Sequence, residues 1–131
     1  MKAAAKNRRV LVIEDDVDLN TAYCLVLSRE GFEVASVKDG LEGIEKLKGF
    51  TPDLVLLDLR MAKMDGVEFL RESSIASEIP AAKVVVFTNF DLNDEIQKAF
   101  DLGASRYVLK SMVSPKQLVK LVCEELDIAL N

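Results

Sequence analysis

The chain predicts an α/β fold on a parallel five-stranded sheet, and three observations carry that prediction. Short apolar runs alternate with stretches of helical period five times between Val10 and Ile128, the mark of repeated strand–helix units. The apolar runs are continuous, as in Leu54-Val55-Leu56-Leu57, which suits strands covered by helices on both faces. Helical stretches open on Asp or Ser caps, and several close on glycine. At 131 residues the chain suits one domain, burying roughly two thirds of its unfolded surface, so its core needs no staples.

Each element has its own local reason. Val10–Ile13 reads as the first buried strand. From Asp18 to Arg29, Leu19, Ala22, Tyr23, Val26 and Leu27 fall at helical spacing, with Asp16 placed as a cap and Gly31 as a stop. Phe32–Val37 is the second strand. Asp39-Gly40-Leu41-Glu42 has capping-box spacing and opens a helix that closes near Gly49. Pro52-Asp53 leads into the third strand, Leu54–Leu57, and Asp65-Gly66-Val67-Glu68 opens a short third helix. Lys83–Phe87 is the fourth strand, Asp91 to Leu102 the fourth helix with Gly103 as its stop, and Arg106–Leu109 the fifth strand. Ser114-Pro115-Lys116-Gln117 combines a cap, a proline at the first helical position and a box partner, and starts a fifth helix reaching about Ile128. Residues 1–8 are expected to form a flexible arm and 9–129 the domain. No repeat, low-complexity segment or internal linker interrupts it.

Charge and composition narrow the function. A net charge of -5 and a pI of about 4.8 disfavour direct nucleic-acid binding and adhesion to an anionic membrane. No uncharged apolar stretch approaches the ~18 residues of a bilayer span. The basic start, Met1 to Arg9, precedes a short apolar run ending in three acids, which is not a signal peptide. With only two cysteines, a reducing cytoplasm is the expected compartment. Cys24 and Cys123, on the first and last helices, read as small buried apolar residues rather than a disulfide. The chain has no histidine. Ser-His-Asp and Cys-His catalysis, His-bearing zinc sites and a phosphohistidine carrier role are therefore excluded.

Reactive groups collect where the strands end. The first run ends in Glu14-Asp15-Asp16, the third in Asp58, the fourth in Thr88 and the fifth in Lys110. In open parallel sheets, sites form outside the carboxyl ends of the strands. Glu14, Asp15 and Asp58 would stand within a few ångströms of one another, and their repulsion calls for a hard cation such as Mg2+. Acids there also suit the start of a helix, which is the preferred reading of Asp16 and Asp18. Asp58 has the chemistry of a nucleophile toward phosphorus, although a lone turn aspartate is common. Thr88 can donate a hydroxyl, and Lys110 an ammonium, to phosphoryl oxygens.

Together Val10-Leu11-Val12-Ile13-Glu14-Asp15-Asp16, Leu56-Leu57-Asp58-Leu59-Arg60-Met61 with Met64-Asp65-Gly66, Phe87-Thr88, and Gly103 through Lys110 resemble the receiver domain of two-component response regulators. The resemblance runs from about Arg8 to Ile128 and is to the single-domain, chemotaxis-regulator-like form. It implies a flavodoxin-like three-layer sandwich with strand order 2-1-3-4-5. It implies phosphoryl transfer to Asp58 from a histidine kinase or phosphotransfer protein, with Mg2+ held by Glu14, Asp15, Asp58 and the backbone carbonyl of Arg60. It implies phosphoryl contacts from Thr88 and Lys110, and Tyr107 as an aromatic switch that turns inward with Thr88; a half-buried strand aromatic is the plainer reading of Tyr107. The signal would pass through the fourth helix, fifth strand and fifth helix to a downstream effector protein or domain. Such a chain is a phosphoacceptor that assists its own phosphorylation and dephosphorylation rather than an enzyme, and is a monomer or a phosphorylation-promoted dimer.

Three positions depart from the family pattern. Ala62-Lys63 stands where proline usually follows the methionine, so a looser loop is expected beside Asp58. Ser111 replaces the proline after Lys110, where a cis bond would cost about 3 kcal/mol. Asn89 replaces a small residue after Thr88, and with Arg60 is expected to crowd the site and slow attack by water. An alternative reading is a phosphorylation-independent pseudo-receiver acting as an interaction module. An aspartyl-phosphate phosphatase is disfavoured, because Arg60 stands where its general acid would be. No Gly-x-Gly-x-x-Gly follows the first strand, which disfavours a dinucleotide-binding domain. The short tail, Ala129-Leu130-Asn131, favours a stand-alone receiver.

Overall fold

The computed structural model describes residues 7–89 and 93–129. The arm expected over residues 1–8 therefore lies outside the described residues up to position 6. Five parallel strands, β1 (Arg9–Ile13), β2 (Glu33–Val37), β3 (Leu54–Leu57), β4 (Lys83–Thr88) and β5 (Arg106–Leu109), form one sheet in the order β2-β1-β3-β4-β5. Helices α1 (Val17–Arg29), α2 (Gly40–Leu47), α3 (Gly66–Ser73), α4 (Ile75–Glu78), α5 (Asn93–Asp101) and α6 (Pro115–Glu125) connect and cover it.

Alternation along the strands splits the core into two layers. Val10, Val12, Leu54, Leu56, Val85 and Phe87 pack with Tyr23 and Leu27 of α1 and Leu118 and Val122 of α6. Leu11, Ile13, Val55, Leu57, Val84 and Val86 pack with Phe69 and Leu70 of α3, Ile75 of α4, and Ile96 and Ala99 of α5. Because both faces are covered, the buried stretches Val10–Ile13, Leu54–Leu57 and Val84–Phe87 of the central strands are continuously apolar, and each fully buried Leu or Val contributes about 1.5–3 kcal/mol.

The caps form as their spacing predicts. Asp16, Asp39 and Asp65 accept from the backbone N–H groups of Leu19, Glu42 and Glu68. Ser114 and Gln117 make a complete capping box. At the second helix the box is shifted: the Glu42 carboxylate accepts from the Lys38 N–H, one residue before the cap. Gly31 and Gly103 follow α1 and α5 with φ of 105° and 114°, the left-handed backbone that favours glycine.

One helix and several element ends differ from the sequence expectation. There is a sixth helix, α4, joined to α3 through Ser74 at φ 51°, a turn without glycine or proline to announce it. The last helix ends at Glu125 rather than near Ile128. Asp127 turns left-handed at φ 54°, while Ile128 still packs on the core, so apolar spacing alone could not mark the end. Strand β4 includes Thr88, extending one residue past Phe87. The fourth of the expected helices is described from Asn93; its proposed start, Asp91, lies outside the described residues.

Candidate functional site

Strand register brings the acids together. Ile13 of β1 is paired with Val37 of β2 and with Leu57 of β3, so Glu14 and Asp58 leave the sheet side by side. The Glu14 N–H donates to the Val37 carbonyl and the Asp58 N–H to the Ile13 carbonyl, each at 3.1 Å. Across the sheet Thr88 is paired with Leu109, which places Lys110 one step beyond the end of β5. Its ammonium donates to Asp58 Oδ2 at 3.1 Å and pairs with Glu14 Oε1. Glu14, Asp58 and Lys110 are buried, at 2%, 5% and 8% exposure.

Burial pushes the Glu14 carboxyl above the ordinary carboxylate range and the Asp58 charge adds to this, while Lys110 and the Asp16 N–H pull the other way. Burial by itself would lower the Lys110 ammonium, but its contacts with Glu14 and Asp58 prevail and hold it above its usual value. Lys110 faces two carboxylates, and their attraction favours its charged form.

Glu14, Asp15 and Asp58 each offer a carboxylate oxygen within 4.8 Å of the others. Glu14 and Asp58 are buried and Asp15 is exposed, so the donor set opens to solvent on the Asp15 side. Three carboxylates of this kind fit a hard divalent cation that retains water ligands. A cavity of about 160 Å³ joins these acids to Asp16, Arg60, Asn89 and Lys110.

The Asp58 carboxylate is held from both sides, since the Arg60 N–H donates to Oδ1 at 3.2 Å. This contact lays the Arg60 peptide against the carboxylate. The Arg60 side chain turns outward, with Nε and Nη2 at 3.3 and 3.2 Å from the two carboxylate oxygens of Glu95 on α5. Asn89 is exposed and lines the cavity. Thr88 is fully buried and Tyr107 half-buried, the latter packed on the α3–α5 layer. Neither lines the cavity, so the structure gathers Glu14, Asp15, Asp58, Arg60 and Lys110 there and leaves these two outside it.

The loop after Asp58, expected to be looser without proline, is anchored at both ends. The Gly40 N–H donates to the Met64 carbonyl, and a Cβ on Gly40 would lie 2.7 Å from Met64 Cγ. Lys63, at φ 65°, places its ammonium 4.0 Å from the buried Asp39. A Cβ on Gly66 would meet the Asp58 carbonyl at 2.5 Å, so only glycine lets α3 begin this close to the end of β3. There is no cis peptide among the described residues. The Lys110-Ser111 bond is trans, and Lys110–Met112 form a 3₁₀ turn. Cys24 and Cys123 are free thiols.

Two contributors were not evident from sequence. The Asn20 amide donates to the carbonyls of Glu14 and Val37 at 2.9 and 3.2 Å, stapling the ends of β1 and β2 beneath the acid pair. Glu95 reaches the site, among the described residues, through Arg60, 35 residues away. Asn20 lay on a readable helix, but its partners depend on strand order, and nothing local links Glu95 to Arg60.

Residues 10–123 match the model of the response regulator receiver domain family. The chain is 36% identical to Chemotaxis protein CheY of Treponema pallidum, over 86% of this chain and 79% of that protein. It is 38% identical to Transcriptional regulatory protein PdtaR of Mycobacterium tuberculosis, over 82% of this chain and 51% of the relative. It thus spans about half the length of this relative and of LnrK of Bacillus subtilis. A CheY-like response regulator receiver domain protein from Methanospirillum hungatei superposes with a TM-score of 0.84 at 27% identity, covering 92% of this chain and 94% of that one. The chain belongs to the response-regulator receiver family. Among the described residues no helix is long and apolar enough to cross a membrane.

Proposed function

With receiver-family membership as the premise, we propose that Asp58 is the phosphoacceptor of a two-component phosphorelay. A buried carboxylate with Oδ2 on Lys110 and Oδ1 on the Arg60 N–H, beside Glu14 and Asp15, carries this reading. Such a carboxylate is fixed for in-line attack rather than free to rotate. An Asp58 oxygen forms the new P–O bond as the donor's P–N bond breaks. The leaving electron pair returns to the imidazole of the kinase or phosphotransfer protein. Glu14, Asp15, Asp58 and the Arg60 carbonyl would hold Mg2+, which offsets negative charge on the transferring group. Lys110 remains beside Asp58 to pair with a phosphoryl oxygen.

Thr88 and Tyr107 would relay the change through α5, β5 and α6, the fourth and fifth long helices with the strand between them, to a downstream effector protein or domain. The chain would act stoichiometrically in the cytoplasm, assisting its own phosphorylation and dephosphorylation, as a monomer or a phosphorylation-promoted dimer. Intact mass after incubation with acetyl phosphate tests the reading. A gain of one phosphoryl group is expected with magnesium and not with chelator, and none in Asp58→Ala. Folded wild type that gains nothing would point to the phosphorylation-independent module instead.

A further inference from the structure

Beyond the phosphoacceptor chemistry, and resting on that reading, we infer that Arg60 and Glu95 form an exchangeable latch. Phosphorylation of Asp58 moves the Arg60 guanidinium from Glu95 onto a phosphoryl oxygen, freeing the first turn of α5. The backbone of Arg60 is already committed to Asp58, through its N–H on Oδ1 at 3.2 Å. Arg60 is also a lining residue of the cavity beside Asp58, yet its guanidinium is engaged by Glu95 through two N–O contacts of 3.2 and 3.3 Å. The latch thus joins the phosphoacceptor loop to α5 directly.

Charge and exposure set the direction of exchange. An acyl phosphate carries about one more negative charge than a carboxylate and offers three acceptor oxygens to the guanidinium fork. The existing pair is half-exposed, with side-chain exposures of 58% and 34%, and exposed pairs are weakly held. Glu95 lies in the first turn of α5, where the helix dipole still favours its charge after Arg60 leaves. Glu95 therefore competes with the phosphoryl group for Arg60, and the competition reaches Glu95's own helix without passing through Thr88 or Tyr107.

The test is phosphoryl uptake from acetyl phosphate with magnesium, followed by intact mass, in wild type, Glu95→Gln, Arg60→Met and the double variant. Glu95→Gln should accelerate uptake about two- to fivefold, the range an exposed ion pair commands. Arg60→Met should slow it by a similar factor, and the double variant should match Arg60→Met. If Glu95→Gln still accelerates uptake in the Arg60→Met background, Glu95 acts by its own charge and the latch is wrong. A wild-type rate in Glu95→Gln also overturns it. A second readout is the NMR resonance of the Arg60 Nε–H, which should shift on phosphorylation of wild type; an unmoved resonance in phosphorylated protein rejects the exchange. No uptake by wild type would instead overturn the receiver chemistry on which the latch rests.

Discussion

Two ion-pair clusters meet at Asp58, one sealed and one open. In the first, Lys110 binds Glu14 and Asp58 with all three residues below a tenth exposed. In the second, Arg60 reaches Glu95 with 58% of its side chain in solvent. Their atoms are of the same kinds, but burial makes their roles differ. Breaking a buried pair leaves a stranded charge, so such a cluster has one stable arrangement. An exposed pair costs little to part because water takes over each charge. The sealed cluster is suited to holding geometry and the open one to changing partners.

Lys110→Met tests this contrast at its strongest point. It leaves Glu14 and Asp58 facing each other without their buried counter-charge, which should cost about 3–5 kcal/mol of stability. Urea unfolding in chelator measures the loss, and added magnesium should restore part of it by supplying a cation to the same carboxylates. A loss below 1 kcal/mol would place the sealed cluster in the class of surface pairs.

Gly66→Ala probes the backbone beneath that cluster. Its Cβ would press on the Asp58 carbonyl at 2.5 Å and on Leu59 Cα at 2.9 Å, backbone atoms that cannot turn away. Overpacking of this kind costs about 1–3 kcal/mol. If Asp58 accepts the phosphoryl group as proposed, it should also slow phosphoryl uptake, because relief requires moving the strand end that carries Asp58. A stable variant with wild-type uptake would show that the strand end yields without consequence.

Arg60→Met should have the smallest effect on stability, less than about 1 kcal/mol, and that loss should fade as salt is raised from 0.05 to about 0.5 M. Unfolding curves across that range measure it. A larger, salt-insensitive loss would mean that the rim pair is structural, which would remove the contrast with Lys110.

Much of the site was legible because strand ends are local signals. Apolar runs ending in Glu14, Asp58, Thr88 and Lys110 placed the reactive groups at one edge once the sheet was parallel. The caps at Asp16, Asp39, Asp65 and Ser114 were legible for the same reason, since a cap bonds residues within three positions of itself. The short α4 was not, because Ser74 turns left-handed without glycine. The end of α6 was hidden by Ile128, which keeps packing on the core after the helix has stopped.

The residues themselves determined the chemistry available: carboxylates, a hydroxyl and a lysine at strand ends, with no histidine. They also determined the α/β class, since continuous apolar runs between capped helices need cover on both faces. Only the tertiary structure decided which charges are sealed and which can exchange. Burial of Lys110 against Glu14 and Asp58, the Asn20 staple and the reach of Arg60 to Glu95 all depend on register and helix placement. Those contacts span up to 96 residues, from Glu14 to Lys110, and solvent exclusion over such a distance is a property of the packed whole.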